Sequence, residues 1–417
     1  MNQKVFACLQ CIFTSVLYLA LLGGQTPITC AVEPHSLHVS PAQGQRDLTA
    51  YLKTYSNLPQ WQNRADGVRR GILQGAELEP FPADSPLRPI CGARREHQGY
   101  TVENVAFESV PGFFVTGNLY RPLGKKGRHP GILCPHGHFG GENGGGRFRP
   151  DHQIRCATLA RMGAIVFAYD MVGWGESTQM KHQQGAALTM QIVNSIRAVD
   201  FLCSLPDVDP ERIGITGASG GGTQTFLLAA LDERITASAP VVMVAANYYG
   251  GCKCESGLPI HKSSTHNTNN AEIAALAAPR PLLLVSCGAD WTQHTPKIEL
   301  PYIRNIYQLF GCEELVENAH FPDQQHNYNH SKRIAVYSFL ARHLGLDLAA
   351  VTNPEGAINE DAIPIEPQEM LRVFDKAHPR PNHALSGASA ILDSLKKMQR
   401  LNAKNLKAKA DGKSPEI

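Results

Sequence analysis

A chain of 417 residues with 43% hydrophobic and 18% charged residues can build a sizeable core, which excludes a disordered or coiled-coil protein. Its 39 basic and 37 acidic residues leave a formal charge of +2, so no long-range field favours nucleic acid or an anionic membrane. Small or neutral partners fit this balance, and one large domain with appended ends fits the length.

In chain order, Lys4 is followed by an uncharged apolar run from Val5 to Leu22 and then by small and polar residues. This is the layout of a secretory signal, with a cut expected after Ala31. The expected product is exported, periplasmic or extracellular, and keeps no membrane span. A retained anchor is the alternative, because the apolar run is nearly long enough to cross a bilayer. Cys8, Cys11 and Cys30 would leave with the signal, and the rest of the eleven cysteines are scattered. Cys252 and Cys254 form the only close pair, and C-x-C without a matching second pair is weak grounds for zinc.

Residues 32–100 read as an N-terminal extension, with interrupted helical periodicity between Asp47 and Leu78 predicting a helical layer packed on the core. Alternating segments at Val102–Val110 and Phe113–Arg121, separated by Pro111-Gly112, predict an antiparallel hairpin. The rhythm then changes. Short apolar runs at Gly131–Pro135, Ala164–Tyr169, Ile213–Thr216, Ile235–Val244, Leu282–Ser286 and Leu315–Asn318 alternate with helical stretches, the last of them Lys332–Leu344. Buried strands joined by crossover helices make a mostly parallel, doubly wound α/β sheet over 101–345, with ligand chemistry at the carboxyl ends of its strands. The polar insertion 247–270 falls over that face, and 346–417 reads as a peripheral, partly disordered tail.

Three motifs follow strand ends. Gly217-Ala218-Ser219-Gly220-Gly221, between a strand and a helical run, matches a nucleophile elbow: the hydroxyl needs a tight turn that projects it toward a base. Gly220 offers a backbone N–H at the helix start for a developing oxyanion. A phosphate-cradling turn is the competing reading, but no Walker lysine follows Ser219. Next, Pro135-His136-Gly137-His138-Phe139-Gly140-Gly141 would supply the second oxyanion donor through the His138 N–H, with Phe139 the near alternative. Third, Asp290 follows the strand Leu282–Ser286, and His326 sits between the last strand and last helix, which completes the order Ser, Asp, His. Among the other late histidines, His320, His330 and His343 fit less well. Asp170 is assigned no chemistry, and Trp174 and Glu176 are weak candidates to border the pocket. His261 and His266 invite a metal reading with Cys252 and Cys254, but the spacing fits no zinc pattern, so neither metal nor cofactor is expected.

Taken together, H-G-H-F-G-G, G-A-S-G-G-G-T-Q, A-P-R-P-L-L-L-V running into Asp290-Trp291-Thr292, and H-N-Y-N resemble the acetyl xylan esterase-like branch of the α/β-hydrolase superfamily. The likeness runs from about Trp61 to Leu344. It implies the α/β-hydrolase fold and deacetylation of a carbohydrate ester by Ser219, Asp290 and His326. A peptidase or thioesterase on the same fold, and a non-catalytic binding protein, are the rival readings.

Overall fold

The computed structural model describes residues 38–141, 145–361 and 363–411. The expected secretory segment, with Cys8, Cys11 and Cys30, lies outside these residues, as does 142–144 of the glycine-rich loop.

Among the described residues ten strands form one sheet: β1 (Ile90–Cys91), β2 (Arg95–His97), β3 (Tyr100–Val110), β4 (Phe113–Pro122), β5 (His129–Pro135), β6 (Ile165–Tyr169), β7 (Val208–Ala218), β8 (Ile235–Val241), β9 (Leu282–Cys287) and β10 (Val316–Phe321). Their order across the sheet is β1-β3-β4-β6-β5-β7-β8-β9-β10, with β2 paired to β3. The expected hairpin is β3–β4, closed by Pro111-Gly112 with Val110 opposite Phe113. β4 meets β6 antiparallel, and every pair from β6 to β10 is parallel. The chain steps from β5 outward to β6, then crosses back to β7. This reversal opens a crevice beyond the carboxyl ends of β5 and β7, where the Pro135–Gly141 loop and Ser219 lie.

The helices are α1 (Pro41–Leu52), α2 (Leu58–Gly75), α3 (Pro150–Arg161), α4 (Ala187–Ser204), α5 (Gly220–Leu231), α6 (Lys253–Ser256), α7 (Asn270–Ala275), α8 (Glu299–Leu309), α9 (His330–Leu344), α10 (Gln368–Leu371) and α11 (Ala388–Ala410). Local chemistry sets their ends. Ser40 and Asn57 cap α1 and α2 by accepting from Gln43 N and Gln60 N, each with proline just inside the helix. Gly345 ends α9 in the left-handed conformation that glycine adopts without steric cost. The α1–α2 layer buries Tyr55 against Trp61, their ring centroids 5.0 Å apart, so Trp61 is core.

The stretch after Leu346 differs from the peripheral, partly disordered tail expected. Leu371 and Ile391 are fully buried. Glu360 accepts from Arg333 Nε at 2.8 Å and from Tyr337 Oη at 2.6 Å, both on α9. Burial raises the Glu360 carboxyl, but these bonds outweigh it and hold it below the usual range. Sparse apolar residues hid this docking, because its buried leucine and isoleucine lie far apart in the sequence and its ion pair forms across long range.

Among the described residues no helix is long and apolar enough to cross a membrane.

Candidate active site

β7 runs straight into α5, and Ser219 at the junction has φ 55° and ψ −123°. A non-glycine residue there costs about 1–3 kcal/mol and persists only where its surroundings hold it. Ser219 N–H donates to Val241 O and the Ser219 carbonyl accepts from Thr223 N, both at 3.0 Å. The neighbouring glycines leave no alternative. A Cβ on Gly221 would meet Pro135 O at 2.4 Å, and one on Gly137 would meet Ala218 O at 2.4 Å and Ser219 Cβ at 3.0 Å. The elbow and the loop after β5 are therefore packed backbone to backbone.

That loop is anchored by a residue to which the sequence assigned no role. His136 is buried; its Nε2 accepts from Met171 N at 3.0 Å, which puts the ring proton on Nδ1, 3.0 Å from Gly137 O. Burial lowers the His136 pKa to about 3, so the ring stays neutral and the tautomer fixed.

On the other side of the elbow, Asp290 follows β9 and His326 follows β10. His326 Nδ1 lies 2.7 Å from Asp290 Oδ2, and Asp290 Oδ1 accepts from Thr292 N at 2.7 Å and Thr292 Oγ1 at 2.5 Å. Burial pushes the Asp290 carboxyl up, yet the bonds from His326 and Thr292 outweigh it and hold it below the usual range. It is a carboxylate at neutral pH. The imidazole lies between two aromatic rings, Trp291 at 4.5 Å and Phe139 at 5.7 Å between centroids. Trp291 in turn stacks on Tyr248 at 3.8 Å. The Gly137–Phe139 loop thus lies against both the serine and the imidazole, at the carboxyl-end edge of the sheet. Among the described residues Ser219 Oγ forms no hydrogen bond to His326; such contacts commonly tighten only with substrate. Gly220 is the first residue of α5, where the N–H has no carbonyl to pair with inside the helix.

The remaining candidates are placed elsewhere. Asp170 accepts from Arg147 Nε at 2.9 Å and Thr116 Oγ1 at 2.7 Å in a sealed network that also takes in Glu176, 2.5 Å from Arg147 Nη2. Glu176 further accepts from Val373 N and Phe374 N, both at 2.8 Å, so it ties down the C-terminal stretch. His320 Nδ1 is 2.8 Å from Ser286 Oγ, His330 Nδ1 is 2.8 Å from Glu360, and His343 Nε2 is 3.6 Å from Glu317. His261 faces Asn270 Oδ1 and His266 faces Ile260 O, and neither joins the group formed around Cys252 and Cys254.

Sequence reasoning missed a second gathering beside the elbow. His138 Nε2 lies 2.8 Å from His182 Nε2, 3.1 Å from Cys254 Sγ and 3.3 Å from Cys252 Sγ; Cys252 Sγ is 3.6 Å from His182 Nε2. The two sulfurs are in bonding contact with one another. The His138 ring packs over Gly220, where an added Cβ would meet its Cε1 at 2.7 Å. Glu255, also overlooked, is buried below, accepting from Gly251 N at 2.6 Å and Cys252 N at 3.2 Å. His138 was read only for its backbone N–H, and His182 carried no local signal at all.

The family model described as acetyl xylan esterase (AXE1) matches residues 76–254. Methylesterase BT1017, of known structure, is 39% identical, with a TM-score of 0.79 over 89% of this chain and 82% of that one. A glucuronoyl esterase from Teredinibacter turnerae, 12% identical, superposes with a TM-score of 0.52 over 73% of this chain and 99% of that one, a likeness of fold alone. Acetyl esterase Axe7A from Xylanibacter ruminicola is 28% identical over 137 residues, 30% of this chain and 31% of its own. The chain spans less than half the length of the curated relatives it matches. The similarity to the methylesterase over most of both chains, together with the family match and the mixed sheet, establishes that the chain belongs to the acetyl xylan esterase-like branch of the α/β-hydrolase superfamily, a group of carboxylic-ester hydrolases.

Proposed function

We propose that the chain is an exported serine esterase that removes an ester group from a carbohydrate through an acyl-enzyme. The observation that carries this reading is an imidazole oriented by a buried carboxylate at 2.7 Å, on the same strand-end face as a serine held at φ 55°. His326 Nε2 takes the Ser219 proton as Oγ attacks the ester carbonyl. The imidazolium that forms is stabilised by Asp290, which stays ionised. The N–H groups of Gly220 and His138, or Phe139 in place of the latter, hold the oxyanion. His326 then protonates the departing alcohol oxygen, and water, deprotonated by the same imidazole, releases the acid and restores Ser219. No cofactor enters these steps.

The family match supports an acetyl group on the sugar, which makes acetate the released acid. A second reading rests on the solved relative: its name supports a methyl-esterified sugar acid, with methanol as the leaving group. The same triad serves both, so the substrate pocket decides.

The test is a panel of acetylated sugars, methyl-esterified sugar acids, thioesters and aminoacyl amides, run with the wild type and Ser219→Ala. Turnover of one carbohydrate ester class that vanishes in the variant is expected. A preference for amides or thioesters overturns the esterase reading. Failure of a fluorophosphonate probe to label Ser219 in folded protein points to a binding protein without catalysis.

A further inference from the structure

Four side chains able to ligate a soft metal converge from three separate segments. His138 lies in the loop after β5, His182 between β6 and α4, and Cys252 and Cys254 at the start of α6 in the 247–270 insertion. Their ligand atoms all lie within 4.8 Å of one another, the one such group found among the described residues. Four protein ligands at about 2.0 Å for nitrogen and 2.3 Å for sulfur around a tetrahedral zinc stand roughly 3.3–3.8 Å apart. The observed nitrogen–sulfur separations of 3.1, 3.3 and 3.6 Å match or fall a few tenths short, whereas the two imidazole nitrogens, 2.8 Å apart, and the two touching sulfurs must spread to admit the ion.

A separate observation concerns orientation. His182 Nδ1 lies 2.6 Å from Val172 O, which can only accept, so the ring proton sits on Nδ1 and the Nε2 lone pair points into the group. A backbone carbonyl on the far nitrogen is the arrangement that orients metal-ligating imidazoles. Trp174 packs edge-on against both rings, at 5.6 Å from His138 and 5.8 Å from His182, and Cys254 is fully buried. The competing account is an imidazole–imidazole hydrogen bond beside a Cys252–Cys254 disulfide. Bonded sulfurs would sit side by side near one ring nitrogen in that account too, so it is the convergence of two imidazoles on them, with His182 Nε2 turned inward by Val172 O, that favours an ion.

We propose that His138, His182, Cys252 and Cys254 form a structural zinc site, with both cysteines entering as thiols. Each thiol releases one proton to solvent as its sulfur binds the ion, and no electron is transferred. Because all four ligands come from the protein, no position stays open for substrate, and the ion has no part in breaking the ester. Its work is mechanical: it pins the insertion and the segment before α4 onto the loop after β5. Two thiolates with two imidazoles favour zinc over magnesium or calcium, which take oxygen ligands. The proposal departs from the sequence reading, which weighed His261 and His266 beside the two cysteines and expected no metal; His138 and His182 are the imidazoles that meet the sulfurs.

The test is metal analysis of the full chain purified without chelator, with alkylation of its cysteines under denaturing, non-reducing conditions. About one zinc per chain is expected, with Cys252 and Cys254 both recovered as alkylated thiols. His182→Ala and Cys252→Ser are expected to lose the zinc, whereas Cys312→Ser, which lies apart, keeps it. Should either variant fail to fold, cobalt exchanged into the wild type carries the test, through sulfur-to-cobalt charge-transfer bands and strong tetrahedral visible bands. Metal-free folded protein that takes up neither Zn2+ nor Co2+, with Cys252 and Cys254 recovered as a disulfide, overturns the proposal. None of these readings depends on ester turnover, so they stand apart from the fate of the proposed triad.

Discussion

Asp290 and Asp170 occupy equivalent places, each just past the carboxyl end of a parallel strand, yet their surroundings diverge. Asp290 faces an imidazole that remains 24% exposed, the partner to which the proposed function gives the proton relay. Asp170 faces the guanidinium of Arg147, which is fully buried and always charged. Position at a strand end therefore does not make a carboxylate chemical; the partner does. Glu299 is a third case. It is buried at the start of α8, with Oε1 accepting from Ala246 N at 2.9 Å, and burial pushes its carboxyl up to about 7.

The sharpest way to break this contrast is to remove members of the proposed triad. Ser219→Ala and Asp290→Asn should each lower kcat by about 10³-fold or more while leaving the unfolding midpoint nearly unchanged, since triad members act on the transition state. Steady-state kinetics beside urea unfolding checks this, and a large fall in stability with modest kinetic loss would move Asp290 into the same class as Asp170. Next, Arg147→Met should destabilise by about 3–5 kcal/mol, because it strands the Asp170 and Glu176 carboxylates in the interior. Urea unfolding measures that change, and a near-neutral result would show that water reaches the network.

Leu371→Ala extends the comparison to the C-terminal stretch docked on that network. The expected loss is about 2–4 kcal/mol, the range for a buried leucine, read from thermal or urea unfolding. The smallest effect concerns Glu299. Its folded pKa lies above the ordinary carboxylate value, so the folded state holds the extra proton between about pH 4.5 and 7. Stability should therefore fall as pH rises through that window. Glu299→Gln removes the titration, and the wild type should lose about 1–3 kcal/mol relative to the variant between pH 4.5 and 8. A constant difference across that range would mean that Glu299 is ionised without penalty.

Much of this architecture was legible because its signals are local. The Ile213–Thr216 run followed by Gly217–Gly221 announces a strand turning into a helix, and β7 and α5 lie there. The hairpin around Pro111-Gly112 and the alternation of apolar runs with helical stretches were equally readable, since side-chain period reports burial directly. The sequence reading of His326 as lying between the last strand and the last helix matches its place between β10 and α9, 2.7 Å from Asp290. What escaped was assembled at long range. His182 meets Cys252 and Cys254 only because two loops fold over the same strand ends, and no spacing in the sequence records that. The docking of 363–411 escaped for another reason: Glu176 holds it through the amides of Val373 and Phe374, and amides have no sequence signature.

The close fit of Gly137 and Gly221 against the carbonyls of Ala218 and Pro135 has a consequence for how this molecule can change. A methyl group at either position must displace main chain, and that main chain carries the loop on one side and Ser219 on the other. Neither half can be retuned alone. Altered substrate preference is thus more accessible through Tyr248 and Trp291, which meet the imidazole's surroundings through side chains and not through main chain.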